Sequence, residues 1–236
     1  MYILLTDALT CPRCGPDFGL LVLADRMEER RVIEGALGCA NCRSSYPIRA
    51  AAADLRVAPS VSTESTGSAE STGSMESAES TDPGPTEEGG EAAVRLAALM
   101  GLAGASGLAM LAGPGARHAA AVSALVPELE VVAVTDRPAA PPERAPGVSR
   151  LAAGDALPFR GGALRAAALT GGAGEARLRE GLRVLAPGAR LVVDGADAGT
   201  AERLRALGAE VLLEEEGVVV ARAPGRPVAL RYNAVR

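Results

Sequence analysis

Lysine is missing from this chain: all 24 basic side chains among its 236 residues are arginine. Tryptophan is missing too, aromatic residues make up only 2%, and there is a single histidine. With so few rings, any core has to be assembled from Ala, Leu and Val. No basic block and almost nothing to stack on bases means no strong nucleic-acid signal, because a phosphate-binding groove needs clustered cations. A local RNA contact stays open. The net charge is −5. The wealth of Ala, Gly, Pro and Arg looks like GC-rich codon pressure, so Ala or Arg at any one position says little.

Long apolar runs are scarce. The opening MYILLTDALT has no basic region ahead of its short apolar run, so a secretory signal is not expected. Residues 96–116, LAALMGLAGASGLAMLAGPGA, are uncharged and long enough to cross a bilayer. Five glycines and one proline interrupt them, and Ala and Gly gain little from transfer into lipid. A helix, a Gly/Ser turn and a buried strand account for the stretch better. The expectation is a cytoplasmic protein with no membrane partner.

Only four cysteines are present, and all are used in two C-x-x-C pairs, Cys11/Cys14 in CPRCG and Cys39/Cys42 in CANCR, with 24 residues between the pairs. Two such knuckles match a tetrahedral structural zinc site, in which each tight turn supplies two thiolates. Pro12 stiffens the first turn and Gly15 relieves its backbone; the second has neither aid. Two disulfides would need an oxidising compartment, and thioredoxin-like redox motifs come singly. A site closed by four protein ligands holds structure and does no chemistry. Between the knuckles, FGLLVLAD and RRVIEGALG read as a hairpin turning on RMEE.

Three segments follow from composition. Residues 1–57 carry the cysteines. In residues 58–90 the triplet EST occurs three times, and no arginine stands between Arg56 and Arg95 while eight acids lie from Glu64 to Glu91. This segment reads as a disordered acidic Ser/Thr/Glu/Gly linker that uncouples its neighbours. Residues 91–236 alternate helix and strand patterns: helices over EAAVRLAALMGL, ARHAAAVSALV, GEARLREGLRVL and GTAERLRALG; strands over GLAMLAG, LEVVAVTD, VSRLAAGD, ALRAAALT and ARLVVDG. The last pair, EVLLEEE and VVVARA, is split by Gly217 alone. The expected fold is α/β: a small four-cysteine zinc ribbon, then a Rossmann-like, doubly wound, mostly parallel sheet closed by an antiparallel hairpin.

Two resemblances run along these segments. LLTDALTCPRCG with LGCANCRSSYPIR is similar to the zinc-ribbon activator subunit of tRNA and rRNA methyltransferases, although AAAADLRV replaces the Gly-Ile-Pro that follows in bacterial relatives. This resemblance implies a protein partner reached through the ribbon. Residues 92–224 resemble a class I S-adenosylmethionine-dependent methyltransferase. MLAGPGARHAAAV sits at its Gly-rich loop, VVAVTD ends in Asp136 where the ribose-binding acid belongs, and AAGDALPF matches G-D-x-x-x-L-P-F, whose acid meets adenine. LREGLRVLAPGARLVVDG and the closing hairpin follow in the family's order. The resemblance implies that Gly113, Gly115, Asp136 and Asp155 hold the cofactor, with Thr170 and Gly171 near an unidentified small or macromolecular methyl acceptor.

The residues can also be read without the family. A glycine turn brings backbone N–H groups close to a ligand, or is simply tight; a strand-end acid accepts hydroxyl hydrogen bonds, or is solvated. His118 is a capping or packing residue more readily than a base. Several positions depart from the family. Leu111 occupies the place of the acid that orients the methionine amino group, Arg117 that of the third glycine, and Arg165 that of the usual fourth-strand acid. After Asp136, RPAAPPERAPG has four prolines in eleven residues, which blocks a helix there, and LTGGAGEARL is short where relatives build a lid. Two functions therefore stand side by side: a methyltransferase-like protein with weakened or lost catalysis, or a non-catalytic binding, scaffold or activator module for a partner methyltransferase.

Overall fold

A computed structural model describes residues 1–57, 87–136 and 145–225. Most of the expected linker, and most of the Pro-rich stretch after Asp136, lie outside the described residues.

A short 3-10 turn at Ile3–Ala8 and the first knuckle precede β1 (Leu21–Glu28), β2 (Arg31–Gly38), β3 (Ser45–Arg49) and β4 (Ala52–Asp54), each antiparallel to the next. The hairpin turns at Glu29–Arg30 and not across the whole of RMEE: both residues have positive φ, 45° and 65°, the two-residue geometry that follows strand twist. A ladder irregularity at Ala24–Arg26 faces Gly35 across the hairpin. A Cβ on Gly35 would stand 2.2 Å from Leu23 O, so only glycine lets the strands close there.

The second part runs α1 (Glu87–Met100), β5 (Gly107–Ala112), α2 (Ala119–Leu125), β6 (Leu129–Thr135), β7 (Val148–Ala152), β8 (Leu164–Thr170), α3 (Glu175–Val184), β9 (Leu185–Asp194), α4 (Thr200–Ala206), β10 (Glu210–Glu215) and β11 (Val218–Arg222). The uncharged stretch 96–116 is the end of α1, a turn and β5, and no helix among the described residues is long and apolar enough to cross a membrane. Strands β7, β6, β5, β8 and β9 lie parallel in that order, with β11 and then β10 antiparallel beyond β9. This is the expected Rossmann-like sheet with its closing hairpin. The inner strands are apolar along most of their length, Glu130 and Arg165 excepted, because helices or the ribbon cover both faces. Along β5, Met110 and Ala112 enter one core with α3, α4 and the ribbon, while Ala109 and Leu111 enter the other with α1 and α2.

The cysteine segment is joined to this sheet. Ala52, Ala53 and Asp54 of β4 pair in parallel with Arg150, Leu151 and Ala152 of β7, giving one sheet of 11 strands. Fully buried Phe159, from ALPF, is bridged to Leu9; Thr10 N–H donates to Pro158 O at 3.0 Å and Arg160 N–H to Ala8 O at 2.9 Å. Arg31 reaches across to Glu130 with two 2.9 Å bonds and to Val148 O at 2.9 Å. Ser149 Oγ donates to Glu130 and accepts from Tyr2 N–H at 2.8 Å. The two parts are thus coupled through strand pairing, shared core and a largely buried ion pair, whatever lies between them in sequence.

Glu130 is only 9% exposed and its partner 20%. Replacing Arg31 by Ala strands a carboxylate, and since the pair keeps some water contact the expected loss is about 2–3 kcal/mol, below that of a fully buried pair. Converting both to apolar residues, Arg31→Met with Glu130→Leu, should recover most of it. Urea unfolding midpoints of the three proteins measure this; equal midpoints for Arg31→Ala and the unaltered chain contradict the latch.

Candidate functional site

The two knuckles are built alike. Gly15 N–H donates to Cys11 O and Arg43 N–H to Cys39 O, both at 2.9 Å, closing each C-x-x-C turn. The residue after the second cysteine has positive φ in both, 95° at Gly15 and 58° at Arg43. Arginine therefore accepts a left-handed conformation where the first knuckle uses glycine. The turns bring Cys11, Cys14, Cys39 and Cys42 together with every sulfur within 4.8 Å of the others. None is in a disulfide. Cys11–Cys42 and Cys14–Cys39 are separated by 3.7 and 3.8 Å; sulfurs about 2.3 Å from a central zinc stand about 3.8 Å apart along a tetrahedron's edge.

Polar groups surround these sulfurs. Tyr46 OH lies 3.4 Å from Cys11 Sγ, Asn41 Nδ2 donates to Cys14 Sγ at 3.3 Å, and Ser44 Oγ is 3.2 Å from Cys42 Sγ. Hydrogen bonding with Ser44 lowers the Cys42 thiol to about 6. Asn41 pulls Cys14 in the same direction, but burial and the other three sulfurs push it up to about 12. Burial, and then Cys11, raise the Tyr46 phenol, so Tyr46 remains protonated and able to donate to a thiolate. Four sulfurs this close can all be thiolates only with a cation among them, and the donor set fits zinc.

The glycine turn lies at the carboxyl end of β5, where ligands bind in open α/β sheets. Gly113 has φ 83°, and Pro114–His118 form a 3-10 turn into α2. A cleft of about 260 Å³ beside it is lined by Gly113, Asp155, Thr170, Gly174 and Arg177, among others. Gly113 and Asp155 are thus brought to one cleft. Asp136, at the end of β6, is on its wall neither here nor in the neighbouring cleft described below. It stands instead in the field of Arg56, which is held chiefly by Asp54 through bonds of 2.8 and 2.7 Å.

Gly115 faces a different neighbour. Its N–H donates to Thr170 Oγ1 at 2.6 Å, and Thr170 Oγ1 donates to Ala112 O at 2.8 Å. A Cβ on Gly113 would lie 2.3 Å from Thr170 O, and one on Gly115 2.6 Å from Thr170 Cγ2. The glycines are needed because β8 approaches this closely, and Thr170 fills the notch they leave. Leu111 is wholly buried in the core with α1 and α2. His118 Nε2 accepts from Arg117 Nε at 3.1 Å; burial, then Arg117, lowers its pKa, which keeps the imidazole neutral.

Arg177 is the residue that sequence reasoning missed. Its guanidinium donates to Gly154 O at 2.8 Å and Asp155 O at 3.0 Å, beside the Asp155 side chain. Nothing in GEARLREGLRVL distinguishes it from Arg179, which is exposed and pairs with Glu175. A second cleft of about 230 Å³ lies across Thr170, between α1, the 3-10 turn and the ends of β9 and β11. Thr170 is common to the walls of both clefts, and Gly171 belongs to the second.

No family model matches the chain, and no curated protein does. Among solved structures it is similar to the [4+2]-cyclase SpnF, at 17% identity and TM-score 0.47 over 58% of this chain and 81% of that one. It is also similar to the antibiotic-resistance methyltransferase Kmr, at 20% identity and TM-score 0.40 over 57% and 93%. A third is the 1,6-didemethyltoxoflavin-N1-methyltransferase of Burkholderia thailandensis, at 19% identity and TM-score 0.43 over 57% and 77%. Likeness at this level is confined to the general path of the chain, and neither reaction nor substrate is taken from it.

Purified without added metal, the chain should carry about one equivalent of zinc, read by elemental analysis and by thiol-released zinc in a chromogenic assay. Cys11→Ser should lose it. Since the ribbon shares a core with the Rossmann-like part, that variant should also melt the whole chain earlier. A metal-free native protein, or an unshifted main transition in Cys11→Ser, is the contrary result.

Proposed function

We propose that this chain is a methyltransferase-like protein whose cofactor site is impaired, with a zinc-pinned ribbon built into the edge of its sheet. Cys11, Cys14, Cys39 and Cys42 would hold the zinc, which crosslinks the two knuckles and leaves no position for a substrate. The ribbon (1–57), the acidic linker (58–90) and the Rossmann-like part (91–236) are kept as the organisation of the chain.

The observation that carries the reading is the glycine notch occupied by Thr170. In a nucleotide-binding turn the backbone N–H groups are offered to the ligand; here the Gly115 N–H is spent on Thr170 Oγ1. Three further features point the same way. Leu111 provides no carboxylate for the methionine amino group and is enclosed in the core. Asp136 lines neither cleft at this end of the sheet. Arg177 places a guanidinium on the cleft wall, where it repels the positive sulfonium that S-adenosylmethionine would bring as its methyl donor. Gly113 and Asp155 suit the cofactor, but the set as a whole fits it poorly, and no catalytic step is assigned.

A non-catalytic role as a partner-binding or activator module is favoured by one surface. Edge strand β1 exposes Leu21 and Leu23, at 62% and 64%, with Met27 and Phe18 also exposed. An apolar edge strand of this kind is where another protein adds to a sheet.

Losing one charge-assisted bond weakens binding by about 1.5–3 kcal/mol, or about tenfold to hundredfold. Calorimetry with the intact chain should therefore show S-adenosylmethionine binding in the high-micromolar range or weaker, and S-adenosylhomocysteine, which lacks the sulfonium charge, binding no worse. Thr170→Gly, which empties the notch, should strengthen the second ligand several-fold. Leu111→Asp should destabilise the fold by at least about 3 kcal/mol without improving binding, since it buries a carboxylate among apolar side chains. Low-micromolar S-adenosylmethionine binding that is lost in Asp136→Ala refutes the impaired site.

A further inference from the structure

The cleft across Thr170 has a chemistry of its own. Along α1, Ala92, Arg95, Leu96 and Leu99 follow the i, i+3, i+4, i+7 spacing of one helical face, and all four line it. Val192 and Val218, on neighbouring strands of the sheet, extend the apolar wall. Two arginines, Arg95 and Arg117, both exposed, are among the lining residues, against one acid, Asp194. With His118 neutral, two cations less one anion leave a net positive charge. Among the described residues neither Arg95 nor Arg117 has a carboxylate partner, and neither does Arg190, which donates to Leu99 O of α1 at 3.4 Å. Arg117 donates only to His118. The volume, about 230 Å³, is that of roughly eight water molecules.

We infer that this second cleft binds a small carboxylate with an apolar body, its anion gripped by Arg95 and Arg117 and its body laid on Leu96, Leu99 and Val218. Guanidinium forks match carboxylate geometry, and a small apolar recess with a few polar groups at one end is the usual form of a small-molecule site. Asp194 repels a second anion, so the occupant carries one acid group and not two. The inference does not depend on methyl transfer, because none of these residues is required to hold S-adenosylmethionine.

Phenylacetate, phenylacetamide and inorganic phosphate serve as probes, titrated into the intact, zinc-loaded chain and followed by saturation-transfer and amide chemical-shift NMR. Phenylacetate should bind at least tenfold more tightly than its uncharged amide and more tightly than phosphate, with shifts at Leu96, Val192 and Val218 and none at Leu21 or Leu23. Arg95→Met with Arg117→Met should weaken phenylacetate about tenfold to hundredfold. Arg95→Lys with Arg117→Lys, which keeps both charges, should restore part of the affinity, and the amide spectrum of each variant verifies the fold. Equal affinity for acid and amide, phosphate as strong as phenylacetate, an unchanged affinity in the Met variant, or no binding at all would each overturn the inference. S-adenosylmethionine is titrated separately. Its binding or failure to bind bears on the glycine-turn cleft, and leaves the phenylacetate result to stand alone.

Discussion

Three residues of β4 laid in parallel against β7 carry much of this architecture. A parallel sheet leaves its outer strand with a row of unpaired backbone groups, which must be covered or paired. Here the chain's own amino-terminal part does it. That pairing is short, and it is held in register by what surrounds it: Phe159 against Leu9, and the Arg31–Glu130–Ser149 network beneath. The ribbon in turn has little helix or core of its own, and its two knuckles converge on four sulfurs within 4.8 Å. Sulfur cluster, ribbon and sheet edge therefore form a single chain of dependence.

The glycine turn shows how one local geometry can serve two ends. A residue without a Cβ admits either a ligand or another stretch of backbone. At Gly113 and Gly115 the space is taken by Thr170 from β8, at distances no side chain on the turn could tolerate. Thr170 also accepts from Gly115 N–H and donates to Ala112 O, so that its hydroxyl is satisfied within the buried turn. The same side chain then divides the carboxyl end of the sheet into two clefts of opposite character. One holds Asp155 beside Arg177, the other holds Arg95 and Arg117 over an apolar floor.

What the sequence by itself determined was whatever depends on spacing along the chain. C-x-x-C pairs fix how two sulfurs meet on one turn, so Cys11, Cys14, Cys39 and Cys42 were legible. Alternating helix and strand periods, with Gly217 between the last two strands, dictated a doubly wound sheet with a terminal hairpin, because periods of 3.6 and 2 follow from backbone geometry. That Gly113 and Asp155 would meet at one end of the sheet was legible too, since strand ends of a parallel sheet gather at one edge. What only the tertiary structure decided was which partners those residues find. A glycine does not reveal whether Thr170 or a ligand fills its notch. Asp136 does not announce that it will lie off both clefts, and Arg177 and Arg95 are indistinguishable in one dimension from other arginines of the chain. Charge pairing and close approach depend on separations of a few ångströms between residues far apart in sequence, as Arg31 and Glu130 are at 99 positions, and local pattern carries no record of them.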